Sequence, residues 1–254
     1  MGEFAGKVAI LFGAARGIGA ATARAFHREG ASVVVCDILD GEGEALVGEL
    51  GARARYVRCD VADPEAIAAA YAVADAAFGG VDVVLNNVGI ALYGTVDVLP
   101  LASWERSIRV NLTAHFVSAH HAIPRLRARG GGVIVNTSSI LGHASQKTTA
   151  AYAAAKAGVQ GLTRTIAIDH AREGIRCVSI SPGTIDTPLV QAVAGGFGDP
   201  AVVTAEWGAA HPLNRMGTPE EVAETIVFLA SPRAGFITGT DILIDGGIRS
   251  ELYA

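Results

Sequence analysis

Apolar residues along the chain gather into short β-branched runs without polar alternation, separated by longer Ala-rich stretches whose polar positions recur at a helical period. Residues 7–12 (KVAILF), 31–37 (ASVVVCD), 54–60 (ARYVRCD), 81–87 (VDVVLNN), 132–139 (GVIVNTSS), 175–182 (IRCVSISP) and 240–247 (TDILIDGG) read as strands. A strand with one wet face alternates; a strand covered on both faces does not. The segments between them, among them 18–28, 64–78 and 151–172, read as helices closed by Gly30, Gly79 and Gly174 in the position where a left-handed residue ends a helix. Strands and helices alternate in strict order, and crossovers between parallel strands are right-handed. The expected fold is therefore α/β: one doubly wound, seven-stranded parallel sheet with helices on both faces. No linker or low-complexity tract divides the sequence, so residues 1–254 are expected to form a single domain. Residues 188–219 carry neither period and are expected to be an irregular substrate loop.

Composition narrows the class of partner. Half of the 254 residues are hydrophobic and 18% are charged, enough to bury a large core. The net charge is −5 with no basic block, which removes nucleic acid and anionic membrane as expected partners and leaves a small organic molecule. The start of the chain carries Glu3 and has no apolar signal core, and the Ala-rich segment from Ala66 stops at Asp75, well short of a membrane span. A cytoplasmic protein is expected. Cys36, Cys59 and Cys177 each sit in or at the end of a strand-like run, at spacings that fit neither a disulfide framework nor a zinc site. His115, His120 and His121 likewise lack the spacing and carboxylate of a metal motif, so no metal is expected.

The first strand runs straight into Gly13-Ala-Ala-Arg16-Gly17-Ile18-Gly19, where a helix begins. Glycines let the backbone approach a pyrophosphate, and a helix N-terminus stabilises its charge. The spacing is GxxxGxG rather than GxGxxG, and a glycine corner alone is weak evidence. Asp37, closing the second strand 18 residues after Gly19, strengthens it: a carboxylate there accepts hydrogen bonds from ribose hydroxyls and repels a 2′-phosphate.

With these features in view, the whole chain resembles the short-chain dehydrogenase/reductase family. Gly13, Gly17 and Gly19 match its glycine motif, Asp60-Val61 its adenine-contacting pair, and Asn86-Asn87-Val88-Gly89 its NNAG segment. Asn111 matches the helix asparagine of its active site, and Ser139, Tyr152 and Lys156 match its catalytic serine and YxxxK motif. Pro182-Gly183 with Ile185 and Thr187 resembles the segment that holds the nicotinamide carboxamide. The resemblance implies a Rossmann-type fold, a nicotinamide cofactor contacted by these residues together with Arg16, Ile18, Asn87 and Gly89, and an alcohol or ketone substrate. It also implies a homotetramer, pairing the helical segments 101–129 and 151–172 with their symmetry mates. Two positions depart from the family: Phe12 replaces the usual Thr, whose hydroxyl ties the glycine loop to the neighbouring strand, and Val88 replaces Ala. Apolar packing between them is the expected substitute.

Tyr152 and Lys156 stand four residues apart, on one helix face. Such a pair is usually an ordinary surface pair. Downstream of a dinucleotide cradle and of Ser139 it has a further meaning: hydride transfer at a carbinol carbon needs a group that moves the oxygen's proton, and a phenol beside an ammonium is expected to ionise below its usual ~10. By resemblance, Lys156 also bonds the nicotinamide ribose, Ser139 holds the substrate oxygen, and Asn111 orients a water that connects Lys156 to solvent. Arg16 is the one basic residue placed for a 2′-phosphate; Asp37, with Ile38 and Leu39 uncharged, argues for NAD over NADP. The expected function is an NAD-dependent oxidoreductase interconverting a secondary alcohol, or a sugar or polyol hydroxyl, with a ketone. An NADP-dependent ketoreductase acting on 3-oxoacyl thioesters and a non-catalytic dinucleotide-binding protein are the alternatives. Ile90, Leu92, Tyr93, Leu141, His143, Gln146, Gln191, Trp207 and His211 are candidates for the substrate pocket.

Overall fold

The structure, a computed structural model, describes residues 2–250. Seven parallel strands, β1 (Val8–Phe12), β2 (Ser32–Asp37), β3 (Ala54–Arg58), β4 (Val83–Asn86), β5 (Gly132–Thr137), β6 (Ile175–Pro182) and β7 (Asp241–Ile244), form one sheet in the order β3-β2-β1-β4-β5-β6-β7. The missing polar alternation has a direct cause. Successive side chains of a strand point to opposite faces, and both faces are covered. Leu11, Val35, Leu85, Val135 and Val178 pack on one face against α1 (Gly17–Arg28), α2 (Asp40–Leu50) and α9 (Pro219–Ala230). Ile10, Val34, Val84, Ile134 and Cys177, aligned in register across five strands, pack on the other face against α3 (Pro64–Phe78), α5 (Ala114–Ala128) and α6 (Ala150–His170). The edge strand β3 is only partly covered, and there buried and exposed positions mix. All three cysteines are buried and unpaired. No helix among the described residues is long and apolar enough to cross a membrane.

Gly30, Gly79 and Gly174 follow their helices at φ of 95°, 79° and 73°, a left-handed conformation that glycine adopts without strain. Two local features differ from the sequence expectation. Residues 101–129 are not one regular helix: α4 (Leu101–Ile108) and α5 are joined by a π-helical turn, Arg109–Thr113, which carries Asn111. Residues 188–219 are not irregular throughout, because α7 (Pro188–Ala194) and α8 (Pro200–Ala209) form within them. Each begins with a side-chain cap followed by proline: Thr187 accepts from the Val190 N–H, and Asp199 from the Ala201 N–H. Their caps were readable, but helices of 7 and 10 residues with few buried positions leave almost no period.

Candidate active site

The strand order reverses between β1 and β4, and a crevice opens at such a point beyond the carboxyl ends of the strands. There the chain leaves β1 through Gly13 at φ 75° and enters α1 at Gly17 with φ 56°. A Cβ on Gly13 would stand 2.9 Å from Val88, and one on Gly19 would stand 2.1 Å from the Gly13 carbonyl oxygen, so helix and turn touch backbone to backbone. Arg16, the residue before the helix, makes no side-chain cap, which leaves the first-turn N–H groups of α1 as donors for an anion. Hydrogen bonds hold the turn in place. The Gly13 N–H donates to the Cys36 carbonyl at 2.8 Å and the Asn87 amide to the Gly13 carbonyl at 2.9 Å. Asp37 accepts from the Ala15 N–H at 3.0 Å and from the Ile38 N–H at 2.8 Å. The expected bracing by Phe12 and Val88 is therefore secondary: both line a small internal cavity, while the Asn87 and Asp37 side chains tie the loop.

At the other end, Ser139 follows β5 in an extended conformation, and its hydroxyl accepts from the Leu141 N–H to start a short 3-10 turn. The preceding Ser138 hydroxyl donates to the Lys156 carbonyl at 2.9 Å and so docks the strand end on α6. Helix α6 in turn carries Tyr152, half-buried on the wall of the crevice, and Lys156, buried at 1% exposure, with the Lys156 ammonium 5.5 Å from the centre of the Tyr152 ring. Lys156 Nζ donates to the Thr137 carbonyl at 2.7 Å. Asn111 reaches the same spot from the π turn, accepting from the Ile90 N–H and donating to the Ile90 carbonyl, both at 2.9 Å. A Cβ on Gly89 would lie 3.4 Å from Asn111 Oδ1 and 3.7 Å from Lys156 Nζ, so the backbone at Gly89 is where the asparagine and the lysine meet.

Burial governs the electrostatics here. It lowers Lys156 to about 7 and raises Tyr152 to about 12, with the Ser139 hydroxyl pulling the phenol back down. The phenol thus stands above the ~10 expected to be undercut beside an ammonium: desolvation is the largest influence on it, and the group that lowers it is Ser139 rather than Lys156. His115 is buried too, near 3 because of burial and the Lys156 charge, and neither ring nitrogen has a partner among the described residues. No cluster of three or more His, Cys, Asp or Glu among the described residues suits a metal.

One cleft of about 400 Å³ joins both ends. Gly13, Arg16, Gly17, Ile18, Asp37, Asp60, Val61, Asn87 and Gly89 line one part, and Ser139, Tyr152, Lys156, Pro182, Gly183, Ile185 and Thr187 line the other. Gly19 and Asn111 stand behind the wall, one packing the turn and the other holding Ile90. The pocket candidates divide. Ile90 lines the cleft, and Leu189 and Val190, which sequence reading passed over, line it from the start of α7. Tyr93 and Trp207 sit 6.0 Å on either side of Phe197 in edge-to-face contacts, an aromatic wall that stands outside the lining of the cleft and whose middle member no local pattern revealed. Leu141, His143 and Gln146 line a separate cavity, and Gln191 bonds Asp186.

A family model described as Enoyl-(Acyl carrier protein) reductase matches residues 13–249. A cis-4-hydroxycyclohexanecarboxylate dehydrogenase of Sinomonas cyclohexanicum is 45% identical over 97% of this chain and 98% of its own length. The chain belongs to the short-chain dehydrogenase/reductase family. Within that family it is also similar to a cyclohexanol dehydrogenase of Acinetobacter sp. (strain SE19), 40% identical over 98% of this chain and 97% of the relative. The aldohexose dehydrogenase of Thermoplasma acidophilum, solved in ligand-free form, superposes with a TM-score of 0.92 at 36% identity, covering 99% of this chain and 97% of that one. The protein is thus a nicotinamide-dependent oxidoreductase of the short-chain family, acting on the CH–OH group of a secondary alcohol.

Proposed function

We propose that the protein is an NAD-dependent dehydrogenase of alicyclic secondary alcohols, working as a cytoplasmic homotetramer. The observation that carries the chemistry is that Ser139, Tyr152 and Lys156 line one end of a cleft whose other end is Asp37, with Asn111 and Lys156 meeting at Gly89. The donor set fits a dinucleotide: uncapped N–H groups at the start of α1, glycines whose added Cβ would strike neighbouring backbone, and a strand-end carboxylate. Gly13, Gly17 and Ile18 would hold the pyrophosphate, Asp37 the adenosine ribose, Asp60 and Val61 the adenine, and Ile185 and Thr187 the carboxamide. Bound there, the cofactor supplies a ring that takes the hydride, and its positive charge favours the phenolate.

Tyr152 takes the alcohol proton as the carbon gives up its hydride, and returns it in the reverse direction. Ser139 holds the substrate oxygen within reach of that phenol. Lys156, near neutrality in its proton affinity, passes the proton onward, and Asn111 fixes the Ile90 carbonyl that receives a relaying water. Asp37 supports NAD, as does Arg58, whose guanidinium is occupied by Asp40 at 2.6 Å and the Ile38 carbonyl at 3.0 Å and is not free for a 2′-phosphate. The aromatic wall of Tyr93, Phe197 and Trp207 supports a cyclic hydrocarbon substrate, as do the cyclohexane-based substrates in the relatives' names. Phe116 and Ile168, exposed on α5 and α6, support assembly through those helices.

An alcohol panel followed by NADH absorbance tests the reading. Wild type should oxidise cyclohexanol-type alcohols with NAD at least tenfold better in kcat/KM than with NADP, and better than linear polyols. Asp37→Ala with Ile38→Arg should reverse the cofactor order by removing a repulsion and adding a phosphate partner. A wild type that prefers NADP, or turns over polyols best, overturns it.

A further inference from the structure

The segment from residue 188 to 219 touches the rest of the molecule through few buried residues. Along α7, α8 and the turn after them these are Ala194, Val203, Gly208 and His211, and His211 alone is polar, at 3% exposure. A buried imidazole is costly unless both nitrogens are partnered, and here they are. Nδ1 donates to the Trp207 carbonyl at 2.8 Å, and Nε2 accepts from the Thr184 N–H at 3.2 Å, which defines a neutral ring with its proton on Nδ1. The ring is wedged between two backbones: a Cβ on Gly183 would come within 2.9 Å of Nε2, and one on Gly246 within 3.4 Å of the His211 Cβ. His211 therefore joins three segments far apart in sequence: the last turn of α8, the loop after β6, and the chain leaving β7.

What it joins matters for the reaction. The Thr184 amide lies between Pro182-Gly183 and Ile185-Thr187, in the segment assigned above to the nicotinamide end of the cofactor. Its neighbours in that loop have backbone partners: the Gly183 N–H bonds the Ile244 carbonyl at 3.0 Å, the Thr184 carbonyl accepts from the Gly217 N–H at 3.0 Å, and the Asp186 N–H bonds the Gly217 carbonyl at 2.9 Å. The Thr184 N–H is satisfied by a side chain of the substrate segment instead. On the far side of that bond stands Trp207, whose indole belongs to the aromatic wall.

We propose that His211 is a positioning residue that locks the aromatic substrate wall to the nicotinamide loop, so that the two halves of the reaction centre keep one relative register. The inference rests on the proposed role of residues 182–187. It requires an acceptor at Nε2, and bulk alone does not suffice.

The test compares His211→Phe, which keeps a ring without nitrogens, with His211→Gln, whose amide oxygen reaches about as far as Nε2. Readouts are NADH affinity by fluorescence, kcat and KM for cyclohexanol, the thermal midpoint, and amide exchange of the peptide spanning residues 183–187. His211→Phe should lower kcat by about tenfold, weaken NADH severalfold and speed exchange of that peptide, while His211→Gln should recover to within about threefold of wild type. Wild-type behaviour of His211→Phe overturns the proposal, and so does equal impairment of the two variants, which would mean packing only. If neither variant folds, fast exchange of the Thr184 amide itself in wild type, read by NMR, overturns it and strong protection of that amide sustains it. Thr187→Val separates the two levels: unchanged NADH affinity there refutes the assignment of the loop itself, whereas weakened binding there with a wild-type His211→Phe refutes only the role of His211.

Discussion

The two ends of the cleft are built differently. The end formed by β1, β2 and the start of α1 is held by backbone: strand residues at or near zero exposure, a glycine turn pinned by the Cys36 carbonyl, and side chains of Asn87 and Asp37 that bond main-chain groups. Beyond the Tyr152 end, the aromatic wall rests on side-chain contacts between exposed residues: Tyr93 and Phe197 are 45% and 63% exposed and touch edge to face. A site held by backbone resists substitution, because the fold depends on it; one held by exposed side chains tolerates substitution, because little of the fold does.

The sharpest way to break the comparison lies between the two ends. Tyr152→Phe keeps the ring, the helix and the cradle but removes the proton carrier, so turnover should fall by about 10² to 10⁴ while NADH affinity stays within about twofold. Retained turnover with the cofactor bound would remove Tyr152 from the mechanism. Next in size, Phe197→Ala opens the aromatic wall at its middle. The two edge-to-face contacts that hold Tyr93 and Trp207 in place are lost, so KM for a cyclohexanol should rise roughly fivefold as the wall loosens, with NADH affinity nearly unchanged and the thermal midpoint lowered only slightly because the residue is exposed. A comparable rise in the Kd of NADH would show that the two ends are not separable.

The smallest effect concerns Lys156. Its proton affinity is lowered to about 7 in the folded protein from an ordinary value of ~10.4, so folding expels a proton above pH 7. Below pH 7 both states are protonated and the folded one bears the whole cost of the buried charge; as pH rises past 7 that cost is relieved, and stability rises by up to about 1.4 kcal/mol per pH unit. The buried thiols of Cys36, Cys59 and Cys177, all pushed upward, act in the opposite direction nearer pH 9. The clean window is therefore pH 7 to 8. Denaturant unfolding of wild type against Lys156→Met should show the slope in the former and not in the latter; parallel curves would mean that Lys156 keeps its ordinary proton affinity.

Most of the glycine turn and its strands was legible in the sequence. Unalternating strands announced a sheet covered on both faces, Gly13, Gly17 and Gly19 marked the turn, and Asp37 sat at a strand end, all features of local backbone chemistry. Tyr152 and Lys156 were legible as an i, i+4 pair, and the caps Thr187-Pro188 and Asp199-Pro200 signalled two helices that the weak period hid. What a linear pattern could not carry is anything defined by distance between segments. The π turn that aims Asn111 at Ile90, the meeting of Tyr93 with Phe197, far apart along the chain, and the His211 bond to Thr184 exist only once the sheet brings those segments together. Proton affinity behaved the same way: the spacing of Tyr152 and Lys156 pointed to an ionised phenol, but burial, a property of the packed whole, raised the phenol to about 12 and lowered the amine to about 7. Secondary structure and the glycine turn follow from neighbours along the chain, whereas the aromatic wall, the charge states and the His211 bonds follow from neighbours in space, because desolvation and side-chain contact arise only when distant segments pack.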